Sequence, residues 1–540
     1  MSTPVEAWRP GMDITGGRLQ YMLERLNTSS TMNVETFGAV GDGVTDDTAA
    51  IQAALNFASE SGGGLVQFTP GKTYAISTFI VAYDYTTIYA YGATIKSIGN
   101  TGILRNFRSD ESFSEYGGHS HIQVLGGVWD GNAFNGTTGS VTSMTNIMSF
   151  VHCTDITVRD ATLQNVSSAH ALEFNSTDGG RVLNCNFFGF QDNSADGSRG
   201  FAEAVQIDIA KSGSASIGAF DDTPSRNILV DGCVFSNSAR CGYFGRAVGS
   251  HTLSAGKAYY GIQVVNNRVD GTLQEGIRGY GWRRAVIANN VINSSGSSGI
   301  WLGTSNPSSI AVDTYDLTVS GNTITNAKSD SGIRVIGYSA SKVQQAVITG
   351  NSVNGGGSGN ANGIHVEYCE SPAVTGNTLA FVRGTGIYNN LSDSGSITGN
   401  TIRNNTSNGI NVTGSTGTVV SSNHVNGCST NHCIFVTTSN DYLITGNRVT
   451  NASSTGAGIR LGDGANDGTV TNNRIVKGTS QNGITTSGTS GSQPTGVTIA
   501  NNDLTGNGWS STVGISIGSG GTATTSFSGG STIPGANLVS

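Results

Sequence analysis

A two-part phrase recurs through the C-terminal half of this chain and leaves few folds open to it. A Gly-Ile step such as Ser298-Gly299-Ile300-Trp301-Leu302 is followed by a segment such as Val319-Ser320-Gly321-Asn322-Thr323-Ile324, and then the pair returns. The isoleucine stands at 277, 300, 333, 364, 387, 410, 434, 459, 484 and 515, and the asparagine at 267, 290, 322, 351, 377, 400, 423, 447, 473 and 502. Apolar residues alternate within each short segment and no helical period is present, so each repeat is one turn of a solenoid. Strands that bury every second residue, with Gly or Asn at tight corners, make this an all-β, right-handed parallel β-helix.

Composition narrows the function classes. Among 540 residues 78 are Gly and only 12% are charged, about half the usual share, leaving a surface of Ser, Thr, Asn and Gly. The net charge of −8 contains no basic block, which argues against nucleic acid and suits neutral or uronic sugars. Seven cysteines, at 153, 185, 233, 241, 369, 428 and 433, show no metal-ligand spacing, and an odd number argues against a complete disulfide framework. Cys185 and Cys233 occupy matching repeat positions and read as buried thiols. No signal-peptide pattern or membrane-spanning run is present, so export of a cytoplasmically made chain must follow another route. No cofactor or metal is expected; Asp463 to Gly468 reads as a loop in preference to a calcium site.

Three regions are expected: a helical attachment segment at 1–32, the β-helix at 33–505, and a Gly/Ser/Thr-rich terminus at 506–540. Gly17 to Leu26 reads as an amphipathic helix too short to stand alone. Self-association about a three-fold axis, attachment to a larger assembly, or docking on the chain itself would each supply a partner. In the following segment, Asn33-Val34-Glu35-Thr36-Phe37-Gly38-Ala39-Val40-Gly41-Asp42-Gly43-Val44-Thr45-Asp46-Asp47-Thr48 leads into a helix with Ile51, Ala54, Leu55 and Ala58 on one face. Thr45 is its expected cap, Asp46 and Asp47 lie at its positive end, and the apolar face covers the first open coil.

The run from Val34 to Gly71 resembles the N-terminal entry of the pectate-lyase-like superfamily, found in phage tailspikes and in polygalacturonase-type and epimerase β-helices. Ser168 to Phe174, Glu203 to Asp208, Val248 to Thr252 and Glu275 to Trp282 resemble phage tail adhesins and appendages that attack Gram-positive cell-surface polymers. That resemblance implies a virion tail component, a homotrimer, and contact with other tail proteins through the N-terminus. The scaffold alone names no reaction.

Used as a ruler, the repeat sorts polar residues into columns. Leu172, Val205, Val248 and Ile277 are equivalent inward positions, so Glu173, Gln206, Gly249 and Arg278 form one outward column, and Asn175, Asp208, His251 and Tyr280 a second. His170, Glu203, Arg246 and Glu275 stand at the preceding corner. Successive coils lie about 4.8 Å apart, which makes one polar wall. Glu173 and Asp208 are offset by one coil and two residues, very roughly 8 Å between backbones, a spacing compatible with an inverting glycosidase pair. Asp208 can orient His251 or raise its pKa, and Arg278 can grip a carboxylate or phosphate. Later coils carry mostly small polar residues there, with Arg334, His365 and Arg460 as exceptions. The interval is 33 residues from 172 to 205 and 43 from 205 to 248, so extra chain at Gln191 to Gly200 and Lys211 to Asn227 is expected to wall a cleft.

These columns point to a depolymerase acting on a host surface polysaccharide or teichoic acid by glycoside hydrolysis. Glu203 and Asp208 are the expected acid and base, with Glu173 as the alternative and His251 beside them. His170, Gln206, Arg278, Tyr280 and Trp282 are expected to bind substrate. A lyase using His251 or Tyr280 as base, with Arg278 on the uronate, and a non-catalytic adhesin are the rivals.

Overall fold

The computed structural model describes residues 31–133, 140–211, 218–304, 312–356, 361–450, 452, 456–476, 482–489, 492–504 and 515–517. The expected helix at 17–26 and nearly all of the Gly/Ser/Thr-rich terminus lie outside the described residues.

Three parallel ladders of short strands wind one above another as a right-handed β-helix, with every coil paired to the next. One face runs through Leu172–Leu183, Glu203–Asp208, Arg246–Gly249, Ile277–Tyr280 and Ile300–Gly303, and continues to Ile515–Ile517. A second runs through Leu229–Asp231, Gln263–Val265 and Ala285–Ala288 to Thr498–Ala500. The third carries Val234–Ser236, Arg268–Val269 and Val291–Asn293. In Met148–Arg159 and Leu172–Leu183 one twelve-residue strand turns the corner between the first two faces. The repeat isoleucines stack in register, Ile277 on Ile300, then Ile333, Ile364 and Ile387, and they are fully buried.

The phrase itself has a steric explanation. A Cβ on Gly299 would lie 2.6 Å from the Ile324 side chain and 2.7 Å from the Gly332 carbonyl, so a side chain there collides with the adjoining face and the next coil. Gly321 sits at φ +64°, a left-handed corner that glycine enters without strain. Beyond it, Asn322 donates both its backbone N–H (3.0 Å) and Nδ2 (2.9 Å) to Oδ1 of Asn351, while Nδ2 also reaches the Ile287 carbonyl. The same links run from Asn267 to Asn502, through ten buried amides. Upstream, Cys233 N–H donates to Asn267 Oδ1 and Cys185 N–H to Cys233 Sγ, so the two matched thiols extend the ladder. All seven cysteines are free and buried.

Helix α1, Thr48–Glu60, closes the N-terminal end, with Ile51, Ala54, Leu55 and Ala58 fully buried on the first coil. Its cap differs from expectation. Thr45 bonds back to Asp42, and Asp46 instead accepts from the Thr48 N–H and hydroxyl, while Asp47 receives the N–H groups of Val40 and Gly41. These carboxylates are structural, as expected. Asp463 and Asn466 are likewise taken up by Thr489 and Thr495, and among the described residues no group of three or more His, Cys, Asp or Glu could hold a metal. No helix among the described residues is long and apolar enough to cross a membrane.

Replacing Asn377 by Ala removes the acceptor of Asn351 and leaves buried donors unmatched. We expect a loss of about 2–4 kcal/mol, read as a lower midpoint in urea unfolding; an unchanged midpoint would remove the ladder from the account of stability.

Candidate active site

The columns predicted from the repeat align as read. Leu172 pairs with Val205, Glu173 with Gln206, Asn175 with Asp208, Gln206 with Gly249, and Gly249 with Arg278. One register differs in outcome. The strand at 246–249 ends at Gly249, and His251 bends back so that its Nδ1 meets Glu203 Oε2 at 3.1 Å, not Asp208.

Glu203 is the hub of a buried charge network. Its side chain is 0% exposed and lies 2.9 Å from Arg246 Nη1, 3.1 Å from His251 and 3.5 Å from His170. Burial works against its charge, but His251 and Arg246 outweigh that and hold the carboxyl well below its ordinary range. Glu203 is therefore held toward its ionised form, and its Oε2 orients His251 through that contact. Arg246 is nearly inaccessible, and donates also to the Phe201 carbonyl and to Glu275 Oε2, both at 2.6 Å, and to Gln274. Burial opposes the His251 cation too, yet the charge and hydrogen bond of Glu203, and then Asp208, raise its pKa above 6.5. With 26% of its side chain exposed, His251 is the member of this group most open to a ligand.

The other two carboxyls behave oppositely. Glu173 accepts from Asn146 Nδ2 at 2.5 Å, Asn175 Nδ2 at 3.2 Å and Ser149 Oγ at 3.3 Å. Asp208 accepts from Gln206 Nε2 (2.5 Å), its neighbour's Ile209 N–H (2.9 Å), Thr252 Oγ1 (3.0 Å) and Tyr259 OH (3.1 Å). Burial raises both pKa values, and for Glu173 the charge of Asp208 adds to it. The wall thus sets two protonatable carboxyls beside one ionised carboxylate and a partly exposed imidazole.

Several expected substrate-binding residues are occupied inside the protein. His170 is buried and donates from Nδ1 to the Glu203 carbonyl at 3.0 Å, and burial drops its pKa to about 3, so it is a neutral corner clamp. Gln206 bridges Asp208 to within 3.4 Å of His251 Nε2. Trp282 is a fully buried core residue whose Nε1 donates to Ser250 Oγ. Tyr280 is packed with Leu253 and Val312 and lies under the Arg278 guanidinium at 3.8 Å. Arg278 retains a partly open edge. Its nearest carboxylate oxygen, on Glu275, is 3.8 Å away, and burial lowers its pKa to about 10.

Among the described residues, Glu203 and Asp208 are covered and do not lie on the floor of an open cleft. Arg199 ties its segment to the Ser168 carbonyl and stacks on Phe201, whose ring meets His251 edge-on at 5.1 Å. Lys211 donates to Leu253, and Ala219 accepts from His152. Sequence reading missed Asn146, Ser149, Thr252, Tyr259 and Phe201. Ser149 was reachable, since it pairs with Glu173 one coil upstream in the same column; Asn146, Thr252 and Phe201 arrive from loops and Tyr259 from a two-residue strand.

Beyond the wall, the column of Arg278 continues as Trp301, Arg334, His365, Tyr388, Asn411, Phe435 and Arg460. Basic and aromatic groups interleave and stack: Arg334 lies 4.9 Å from the Trp301 ring, His365 is parallel to Tyr388 at 4.9 Å, and Arg460 is 5.7 Å from Phe435. Eight residues over seven intervals span roughly 34 Å of half-buried track leading from the wall.

The wall predicts a pH signature. Because His251 titrates above its unfolded value of about 6.5, its contribution is complete below that pH and is lost as pH rises through the folded value. Glu203, titrating below its unfolded value of about 4.3, contributes above that pH and loses its contribution under acid. The melting-temperature difference between wild type and His251→Gln should be largest near pH 5–6 and shrink toward pH 9; a difference independent of pH would contradict the ion pair.

Comparison with known proteins agrees with this architecture. Residues 31–243 match the family model described as rhamnogalacturonase A/epimerase, pectate lyase-like, and residues 313–514 match that of the periplasmic copper-binding protein NosD. Plasmin and fibronectin-binding protein A of Streptococcus pneumoniae is 26% identical over 48% of this chain and 39% of its own length. A capsule K30/K69-specific depolymerase of Klebsiella phage K64-1 is 26% identical over 49% and 31%, and mannuronan C5-epimerase AlgE5 of Azotobacter vinelandii is 35% identical over 25% and 14%. The chain therefore spans well under half the length of each. Among solved structures, the pneumococcal adhesin PfbA superposes with a TM-score of 0.59 at 19% identity over 80% of this chain and 100% of its own. A tailspike of E. coli bacteriophage HK620, in complex with a pentasaccharide, gives 0.56 at 13% over 89% and 81%. The chain is a right-handed parallel β-helix, and its residues 31–243 match the pectate-lyase-like family model.

Proposed function

We propose that this chain is a polysaccharide depolymerase of a phage or prophage tail, acting on a host surface glycan or teichoic acid by acid/base chemistry at the wall. The observation that carries this reading is the opposed set of titrating groups: Glu173 and Asp208 held toward the protonated form, Glu203 held ionised, and His251 charged and partly exposed between them. Carboxyls whose environments separate their proton affinities are what acid/base cleavage requires. In the hydrolytic reading Glu173 and Asp208 are the acid and base, His251 and Arg278 meet the substrate, and Glu203 positions His251. The basic and aromatic track past Trp301 supports a long glycan lying across successive coils, with sugar faces on the rings.

Two rivals draw on particular observations. Elimination at a uronate is favoured by the Glu203–His251 pair, a base held by an orienting carboxylate, with Arg278 beside it. A glycan-binding adhesin is favoured by the burial of Glu173 (7%) and Asp208 (2%) and by the likeness to PfbA. A homotrimer, with residues 1–32 attaching to other tail proteins, completes the proposal.

Chain length of the host polymer, followed by size-exclusion chromatography, tests the reading. Asp208→Asn and Glu173→Gln should each slow shortening by roughly 100-fold or more with the fold intact. New reducing ends without ultraviolet absorbance indicate hydrolysis, whereas absorbance from an unsaturated sugar indicates elimination. Retained binding with no shortening leaves the adhesin.

A further inference from the structure

A second concavity lies on the other side of the segment that holds Asp208. Thr252 and Tyr259 reach Asp208 from within, whereas Gly256, Lys257, Ala258 and Tyr260 of the same segment face a groove of about 460 Å³. Strand alternation produces this division. Tyr259 pairs with Trp282 and both are buried, so their successors Tyr260 and Arg283, also paired, point outward, and Arg226 bridges to Tyr260 one coil earlier. Tyr116 and Pro224 complete the lining.

The lining is cationic in a chain of net charge −8. Among the described residues Arg226, Lys257 and Arg283 are its charged members and no carboxylate lines it. Arg226 pairs with Asp178 at 2.9 Å just outside the lining, and Arg283 donates from Nε to the Asp313 carbonyl, which fixes its plane without neutralising it. Two guanidinium groups are spread on rings, Arg226 on Tyr116 at 4.4 Å and Arg283 on Tyr315 at 5.1 Å, so their forks are held in place before a ligand arrives. A groove of this size combining flat aromatic walls with positioned cations matches an acidic sugar: a ring to stack and a carboxylate or phosphate to bind.

We propose that this groove is a separate binding site for an anionic saccharide unit, bearing a carboxylate or a phosphate, held by Lys257, Arg283 and Arg226 against Tyr116 and Tyr260. It is distinct from the wall, needs no turnover, and stands whether the wall cleaves or only binds. It gives the protein a second hold on an acidic polymer, back to back with Asp208.

Calorimetric titration of the full chain with a galacturonate trimer, with inorganic phosphate and with neutral maltotriose tests the site. A carboxylate or phosphate ligand should bind one per chain and weaken with salt, and the anion that binds more tightly identifies the group recognised. Lys257→Gln and Arg283→Gln should each weaken binding by roughly tenfold. Lys257 is exposed, so its replacement leaves the fold undisturbed, and an unchanged melting temperature verifies this. Binding of maltotriose as tight as that of the anions, no binding of either anion, or full affinity in both cation variants would each overturn the proposal.

Discussion

Everything in this molecule hangs on coil-to-coil registration, and the buried asparagine ladder enforces it. A parallel strand pair tolerates slippage where side chains are small and polar, and most outward positions here are Ser, Thr, Asn or Gly. Each ladder asparagine adds two hydrogen bonds to the next coil and one to the carbonyl of the previous one, all inaccessible to water, so a slip of one residue would strand several buried polar groups at once. The left-handed corner residue before each asparagine and the sterically excluded Cβ at Gly276, Gly299, Gly332, Gly363, Gly386, Gly409 and Gly458 narrow the path of the chain. That rigidity lets side chains from Glu173 to Arg278, far apart in sequence, form a wall with defined contacts.

The wall itself is an unusual use of the interior. Glu203, Arg246 and Glu275 are buried together, an arrangement whose desolvation cost is offset only by complete pairing. Arg246 meets that condition by bonding two carboxylates, a backbone carbonyl and Gln274. An interior ion network of this kind contributes little to stability compared with a packed apolar core, and here it polarises His251 at a partly open edge. The column of aromatic and basic residues, broken at Asn411, continues from that edge and shares one face with the titrating groups.

How far the sequence could be read depended on whether a side chain obeys the repeat. Glu173, Gln206, Asp208 and Arg278 were placed correctly because strand alternation alone determines their column and face. His251 was placed in the right coil, and Asp208 does raise its pKa, but its hydrogen-bonded carboxylate is Glu203, since it lies just past its strand, where the ruler no longer applies. Trp282, assigned to substrate from its company, is core because Gly281 turns the chain at φ +61° and starts a new alternation. Interleaved rings at Tyr388 and Phe435 were legible from the same column as the basic members.

The sequence by itself determined the coil, its period, its inward residues, the helix that covers its first turn and the column in which each strand residue stands, because backbone pairing and alternation are local and repeat every turn. Tertiary structure alone decided which carboxyl holds its proton more tightly. Glu203 and Asp208 are five residues apart on one strand, yet one is held ionised by Arg246 and His251 while the other is walled in by neutral donors from Gln206, Thr252 and Tyr259. Desolvation and neighbouring charge set proton affinity, and both come from loops and coils that no repeat unit specifies.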